Sequence, residues 1–287
     1  AYRHRVDGLM VENGSVVGVH GARLADDNME RGKPSSRDVV GDFQWRAQAV
    51  IVASGGIGGN HELVRQNWPQ HLGAPPSRML CGVPAHVDGR MLGISEAAGA
   101  KLINRDRMWH YVEGIENWNP IWPMHAIRVL PGPSSLWFDA RGNRLPGPLW
   151  PGFDTMGTLE HLRRTGFDYS WFILDQQIIR REFALSGSEQ NPDLTGKSWR
   201  QVARRAIGRQ APAPVEAFKR HGRDFIVRDN LDELVVGMNA LAGSPLLDVA
   251  HLRAEIEARD RQFDHPFAKD SQVMAIHNAR RYRGDRL

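Results

Sequence analysis

At 287 residues, with 41% apolar and 24% charged side chains, the chain has the composition of one large globular domain or two medium ones. A net charge of +4 is too small to argue for nucleic acid, and no run approaches the roughly 20 apolar residues of a membrane span. Cys81 is the single cysteine, which excludes a disulfide framework and a cysteine metal site; no charged-then-apolar segment marks a secretory signal, so the setting reads as reducing and cytoplasmic.

The chain begins "AYRHRVDGLMV", without an initiator Met and already in strand-like sequence, and stops at "RRYRGDRL" with no closing element, so it reads as a piece of something longer. "VDGLMVENGSVVGVHG" predicts a hairpin, with β-rich runs at 9–11 and 16–19 flanking Asn13-Gly14, a pair favoured in tight I′ turns. A polar loop follows from about Asp26 to Gly41, and "WRAQAVIVAS" reads as a buried strand on its apolar run Ala49–Ala53. "NHELVRQNWP" predicts a short helix with Asn60 as N-cap and Glu62 in the first turn, stopped by Pro69. "HVDGRMLGISEAAGAKLIN" predicts a second helix with Asp88 as N-cap, then a strand near 101–104. From about Asn117 the texture becomes rich in Trp, Pro and Gly, which predicts irregular, turn-rich chain and a domain boundary. Helices are then expected over 156–165, 170–185, 198–208, 230–241 and 248–262, the last on the period of Leu252, Ile256 and Phe263. The basic run at 277–287 reads as a solvated helix face rather than a nucleic-acid patch, since acids are interspersed throughout.

Between the expected strand and helix lies "SGGIGGN", with glycine at 55, 56, 58 and 59. Two readings stand on spacing alone. Bare backbone lets N–H groups approach a nucleotide, and a tight strand–helix turn with close packing needs the same residues. The histidines do not form a metal site: His61 and His71 are too far apart for one helix face, and the others are scattered. Asp139 and Asp154, in loops beside glycine, read as turn and cap residues, Asp139 closing a β-turn with Gly142.

"AVIVASGGIGGNHELVRQNWP" resembles the ATGGF-type segment of the flavoprotein family that contains fumarate reductases, succinate dehydrogenase flavoprotein subunits and 3-ketosteroid dehydrogenases. The preceding strand–turn–strand, the "VDGRMLGISEAAGAKLIN" stretch and "DNLDELVVGMNALAGSPLLDVAHLRAEIEARDRQF" follow the family order, and the wording is most similar to actinobacterial FAD-binding dehydrogenases. The resemblance implies an α/β fold with an α+β cap: a partial FAD/NAD(P)-binding Rossmann-like domain over 1–117 and a mainly helical capping domain over 118–287. It implies FAD as cofactor, with Ala53, Ser54, Gly55 and Gly56 beside the dinucleotide, Ser54 standing where the family usually has Thr. Arg5 and Val6 fall where family backbone meets the adenine, and Asp88 matches an FAD-contacting aspartate, its cap role being the alternative. The family's GxGxxG turn is missing, because in "GGIGGNH" the motif read from Gly56 has His61 at its sixth position, and so is its closing "AGE"-type segment. A middle fragment that binds FAD poorly alone is the expectation. The competing one is an incomplete, cofactor-free polypeptide or a partner-dependent domain.

The resemblance also implies chemistry: hydride passes between a substrate carbon and flavin N5 while a side chain moves a proton at the neighbouring carbon. The place of the substrate-binding histidine of fumarate reductases falls on Tyr111, with His110 beside it on the opposite face of a strand. Tyr111 can donate to a carbonyl or act as a base; it can also be a half-buried aromatic at a domain junction. The proton-delivering arginine of fumarate reductases is absent, since Pro146-Gly147-Pro148 follows the turn at 142–145 and no arginine comes before Arg163. A fumarate reductase is therefore excluded. The tryptophans at 109, 118, 122, 137 and 150 fit either a larger, apolar, carbonyl-containing substrate or a cap core. The electron acceptor is not legible.

Overall fold

The computed structural model describes residues 1–29, 35–187, 190–191, 196–197, 199–200 and 211–282. They fall into two compact units, each assembled from separate stretches: Ala1–Pro69, Cys81–Met108 and Asn119–His125 in the first, Gln70–Leu80, Trp109–Trp118 and Ala126–Leu287 in the second. Among the described residues no helix is long and apolar enough to cross a membrane.

The first unit opens on the expected hairpin. Strands β1 (His4–Glu12) and β2 (Ser15–Leu24) pair antiparallel. Asn13 (φ 50°) and Gly14 (φ 77°) both take the left-handed backbone that a I′ turn requires. β3 (Val39–Arg46) adds to β2, giving the order β1-β2-β3. The expected polar loop through Gly41 is thereby corrected. Gly41 and Asp42 are poor strand formers, and pairing with Arg23 and Ala22 of β2 carries them. The buried strand over 49–53 is corrected too: those residues form no strand, and Ile51 is 91% exposed. A wholly apolar strand needs neighbours at its edges and layers on its faces, and no described strand pairs with this one.

Helix α1 (His61–Gln66) starts as the sequence predicts, with the Asn60 side chain accepting from Leu63 N at 3.0 Å. Helix α2 (Arg90–Ala97) is capped by Gly89 at φ 77°, not by Asp88, whose Oδ1 instead accepts from Arg90 N at 3.0 Å. The strand near 101–104 is not formed; Asn104 (φ 53°) turns the chain and Ile103 is exposed. Between the helices the backbone meets itself. Gly59 N donates to Val87 O at 2.7 Å, and a Cβ on Gly59 would lie 2.8 Å from Pro84 O.

In the second unit, β4 (Gly114–Glu116), β5 (Ala126–Leu130) and β8 (Ala184–Leu185) form one antiparallel sheet, and β6 (Leu136–Phe138) pairs with β7 (Trp171–Ile173). Helices α3 (Thr155–Arg164), α6 (Leu231–Ala242) and α7 (Val249–Phe263) follow the expected spans. The single helix expected over 170–185 is corrected to β7, α4 (Gln176–Arg181) and β8, because Trp171–Ile173 is claimed by pairing with the buried β6. The helix expected over 198–208 lies almost wholly outside the described residues. Helices α5 (Ala213–His221) and α8 (Ser271–Tyr282) complete the unit, and the basic run beyond residue 282 lies outside the described residues. One core joins Ile127, Val129, Phe183 and Phe218. Another joins Leu136, Phe138, Met238 and Leu252, with Ile256 packed against it. Trp137 forms a third with Leu145 and Leu162.

Gly59→Ala is expected to destabilise the protein by about 1–3 kcal/mol, the usual cost of forcing a group into filled space. It should appear as a lower denaturant midpoint at unchanged m value. An unchanged midpoint would mean that the 84–87 loop yields freely.

Candidate functional site

All residues expected to meet the dinucleotide lie in the first unit. Ala53–Gly56 is exposed, and no described residue accepts from its backbone N–H groups. The four glycines divide by cause. Gly58 and Gly59 are imposed by close approach, a Cβ at Gly58 lying 3.0 Å from Val83 Cγ2. Gly55 is imposed by its backbone, at φ +92°. Gly56 is imposed by neither, since a Cβ there would meet nothing. The packing reading therefore explains two glycines, and bare, exposed backbone remains at Gly55 and Gly56. Such a stretch fits the approach of a flat, anionic dinucleotide, because no side chain stands in the way.

Contacts connect this stretch to the other expected residues. The Cβ position of Gly55 lies 3.2 Å from Val87, and Asn60 Nδ2 donates to Asp88 O at 3.4 Å. Asp88 holds the N–H of Arg90, and Arg90 in turn donates to Asp7. Asp7 is the bulged residue of β1, at the register shift between Val6 and Gly8. It accepts from Arg5 at both oxygens, at 2.9 and 3.1 Å, and the Arg5 hydrogen bond holds its carboxyl below the usual carboxylate range. Arg5 is thus already committed to a neighbour, while Val6 keeps its place in the ladder opposite Gly21. Sequence reasoning missed Asp7 and Arg90. An Arg-Val-Asp run gives no hint of a bulge that turns Asp7 toward a helix start 83 residues on.

His110 and Tyr111 lie in the second unit. Tyr111 is 49% exposed, Trp109 is 82% exposed, and their ring centroids are 6.1 Å apart. The Arg128 guanidinium carbon sits 4.1 Å from the Tyr111 ring centroid, in cation–π range. Its Nη2 is 3.5 Å from Oε1 of Glu113, a residue only 3% exposed. His110 turns inward instead: its Nε2 is buried, and burial lowers its pKa from the ordinary imidazole value. The expected pair therefore separates, Tyr111 presented to solvent and His110 withdrawn. Arg128 and Glu113 were invisible in the sequence, because only the β4–β5 pairing sets Arg128 opposite Gly114.

The remaining candidates resolve into structural roles. Asp139 accepts from Arg141 N and Asn143 N at 2.8 and 2.9 Å, and Asp154 caps α3 through Gly157 N at 2.8 Å, as turn and cap residues should. Trp137 is core, donating through Nε1 to Ser170 Oγ at 2.9 Å. Trp122 stacks on His125 at 3.7 Å, and Trp118 meets His221 at 4.9 Å. Only Trp109 stands clear of the protein beside a candidate residue.

Because burial lowers the pKa of His110 in the folded state, the unfolded chain binds more protons just below about pH 6.5. His110 therefore contributes stability that is fully present above that pH and lost as pH falls toward its lowered folded value. Urea midpoints taken between pH 5 and 8 should fall on acidification, and His110→Gln should flatten that fall. An identical slope in the variant would show that His110 titrates normally.

A family model described as an FAD binding domain matches residues 1–286. The KsdD-like steroid dehydrogenase of Mycolicibacterium smegmatis is 60% identical over all 287 residues, which amount to 52% of its own length. Two KsdD-like steroid dehydrogenases of Mycobacterium tuberculosis strains are each 57% identical over the same 287 residues, 51% of their lengths. The chain spans about half the length of the curated relatives it matches. The crystal structure of 3-ketosteroid-Δ4-(5α)-dehydrogenase from Rhodococcus jostii RHA1, in complex with 4-androstene-3,17-dione, aligns with a TM-score of 0.44 at 16% identity, over 94% of this chain and 42% of that one. With its match running through nearly every residue, the chain belongs to the FAD binding domain family.

Proposed function

We propose that the protein to which this chain belongs is an FAD-dependent dehydrogenase that forms a C=C bond beside a carbonyl of an apolar, steroid-like substrate. The observation that carries this reading is the 57–60% identity, across the whole chain, to proteins named KsdD-like steroid dehydrogenases. Residues 1–117 are read as part of a Rossmann-like FAD layer and 118–287 as a mainly helical cap. The missing arginine after Pro146-Gly147-Pro148 argues against fumarate as substrate. The family match does not favour the cofactor-free alternative. A reducing, cytoplasmic setting and the lack of a nucleic-acid partner belong to the same reading, resting on the lone cysteine and the mixed charge.

When bound, FAD supplies the hydride acceptor. The chain's own residues hold and orient. Ala53–Gly56 offers exposed backbone to the dinucleotide, the backbone at Arg5 and Val6 lies at its adenine end, and Asp88 anchors the turn into α2. The Tyr111 hydroxyl donates a hydrogen bond to the substrate carbonyl oxygen, which draws charge onto that oxygen and makes the C–H of the neighbouring carbon more acidic. Trp109 gives the apolar ring a flat surface.

In the full-length protein, anaerobic mixing with a 3-keto steroid should bleach the visible flavin absorbance. Absence of bleaching, with reoxidation of the reduced protein by fumarate, would overturn the reading. Tyr111→Phe should slow bleaching by about 10²–10⁴-fold, the range of a lost acid–base group. Gly56→Ala should leave the unfolding free energy within about 0.5 kcal/mol, as it meets no neighbour. It should nonetheless weaken FAD retention about tenfold, measured by flavin absorbance after gel filtration. Equal retention would remove Gly56 from the cofactor site.

A further inference from the structure

The bond between Arg128 and Glu113 makes poor sense as a stability device. Glu113 is 3% exposed, yet its Oε2 has no hydrogen-bond partner among the described residues, and neither has the buried Nε of Arg128. Their one contact, Nη2 to Oε1, is long at 3.5 Å. Burying a carboxylate is costly unless it is well paired, and apolar residues of similar size would serve folding as well or better. The arrangement instead has a direction. Ile127 and Val129 sink into the core, so the strand's alternation turns Arg128 to the other face. Opposite it in β4 stands Gly114, which has no side chain to stand in its way. It ends over the ring of Tyr111, which remains 49% exposed.

We propose that Arg128, tethered by the buried carboxylate of Glu113, is the positioning residue for Tyr111: its cation fixes the ring and favours the negative charge that builds on a substrate carbonyl oxygen held by the Tyr111 hydroxyl. This rests on the steroid-dehydrogenase reading above and assigns to that reaction two residues outside the tyrosine itself. Because the charge on the oxygen is larger in the transition state than in the bound ketone, Arg128 acts on kcat more than on KM.

The test uses the full-length, FAD-loaded protein and a 3-keto steroid. Arg128→Met should lower kcat about 10–100-fold with KM, and steroid affinity by calorimetry, within about threefold. Arg128→Lys should recover kcat to within about threefold to tenfold of wild type, since it keeps the charge but loses the planar stacking face. In a Tyr111→Phe background Arg128→Met should cost little more. Glu113→Gln, nearly isosteric, should lower kcat in the same direction and likewise lose its effect in Tyr111→Phe, and it carries the test if the methionine variant does not fold. Unchanged kcat in both single variants, or equal losses with and without the Tyr111 hydroxyl, would overturn the assignment while leaving the reaction intact. A wild-type protein that oxidises no 3-keto steroid would overturn the functional reading first, and this one with it.

Discussion

A side chain at residue 59 has nowhere to go. The backbone of the first unit passes so close to Pro84 and Val87 that only glycine allows the N–H of residue 59 to reach the Val87 carbonyl. Much in this unit follows from that approach. It brings Asn60 within reach of Asp88, sets the start of α1 beside the turn into α2, and leads through Arg90 to the bulged Asp7 of β1. It also leaves Ala53–Gly56 outside the packed region, where their backbone stays bare. One packing constraint thus divides a single glycine-rich run into a half imposed by close packing and a half whose backbone stays exposed.

The second unit shows two ways of burying charge. Arg144 is met by both oxygens of Asp270 and by Gln272 Oε1 at 2.7 Å, and Gln272 Nε2 donates to the carbonyls of Pro133 and Ser135. Burial pushes the Asp270 carboxyl up, but hydrogen bonds from Arg144 and from Val273 N outweigh it and hold the group below the usual carboxylate range. Here every partner is met, and the network ties α8 to the turn before residue 145. The Arg128–Glu113 pair lies at the opposite extreme, with an unmatched atom on each side. A fully satisfied network adds rigidity to a fold, whereas a half-satisfied one leaves buried polar atoms whose desolvation is not offset.

The tryptophans separate on the same physical ground. Trp137 sits on a strand whose three residues are all buried, so its ring is core and its Nε1 needs and finds Ser170. Trp109 lies in no strand and keeps 82% of its surface, beside a tyrosine whose ring packs against the Arg128 guanidinium. The same residue type therefore serves packing in one place and presents an apolar surface in the other, and position relative to a paired strand decides which.

Local chemistry was legible in the sequence wherever neighbours in the chain sufficed. The Asn13-Gly14 hairpin, the Asn60 cap, the Asp139 and Asp154 turns and helices α3, α6 and α7 follow from propensity, capping and period, all short-range terms. The glycine run and the order of segments around it carried the family and its cofactor. Whatever needed a distant partner was not legible. Gly41 and Asp42 became strand because β2 lay beside them, Trp171–Ile173 left a helical pattern for the same reason, and the apolar 49–53 run stayed out of any sheet because no described strand pairs with it. Nor could spacing place Arg128 over Tyr111, since that contact exists only through β4–β5 pairing, whose free energy depends on chain brought together and not on chain adjacent in sequence.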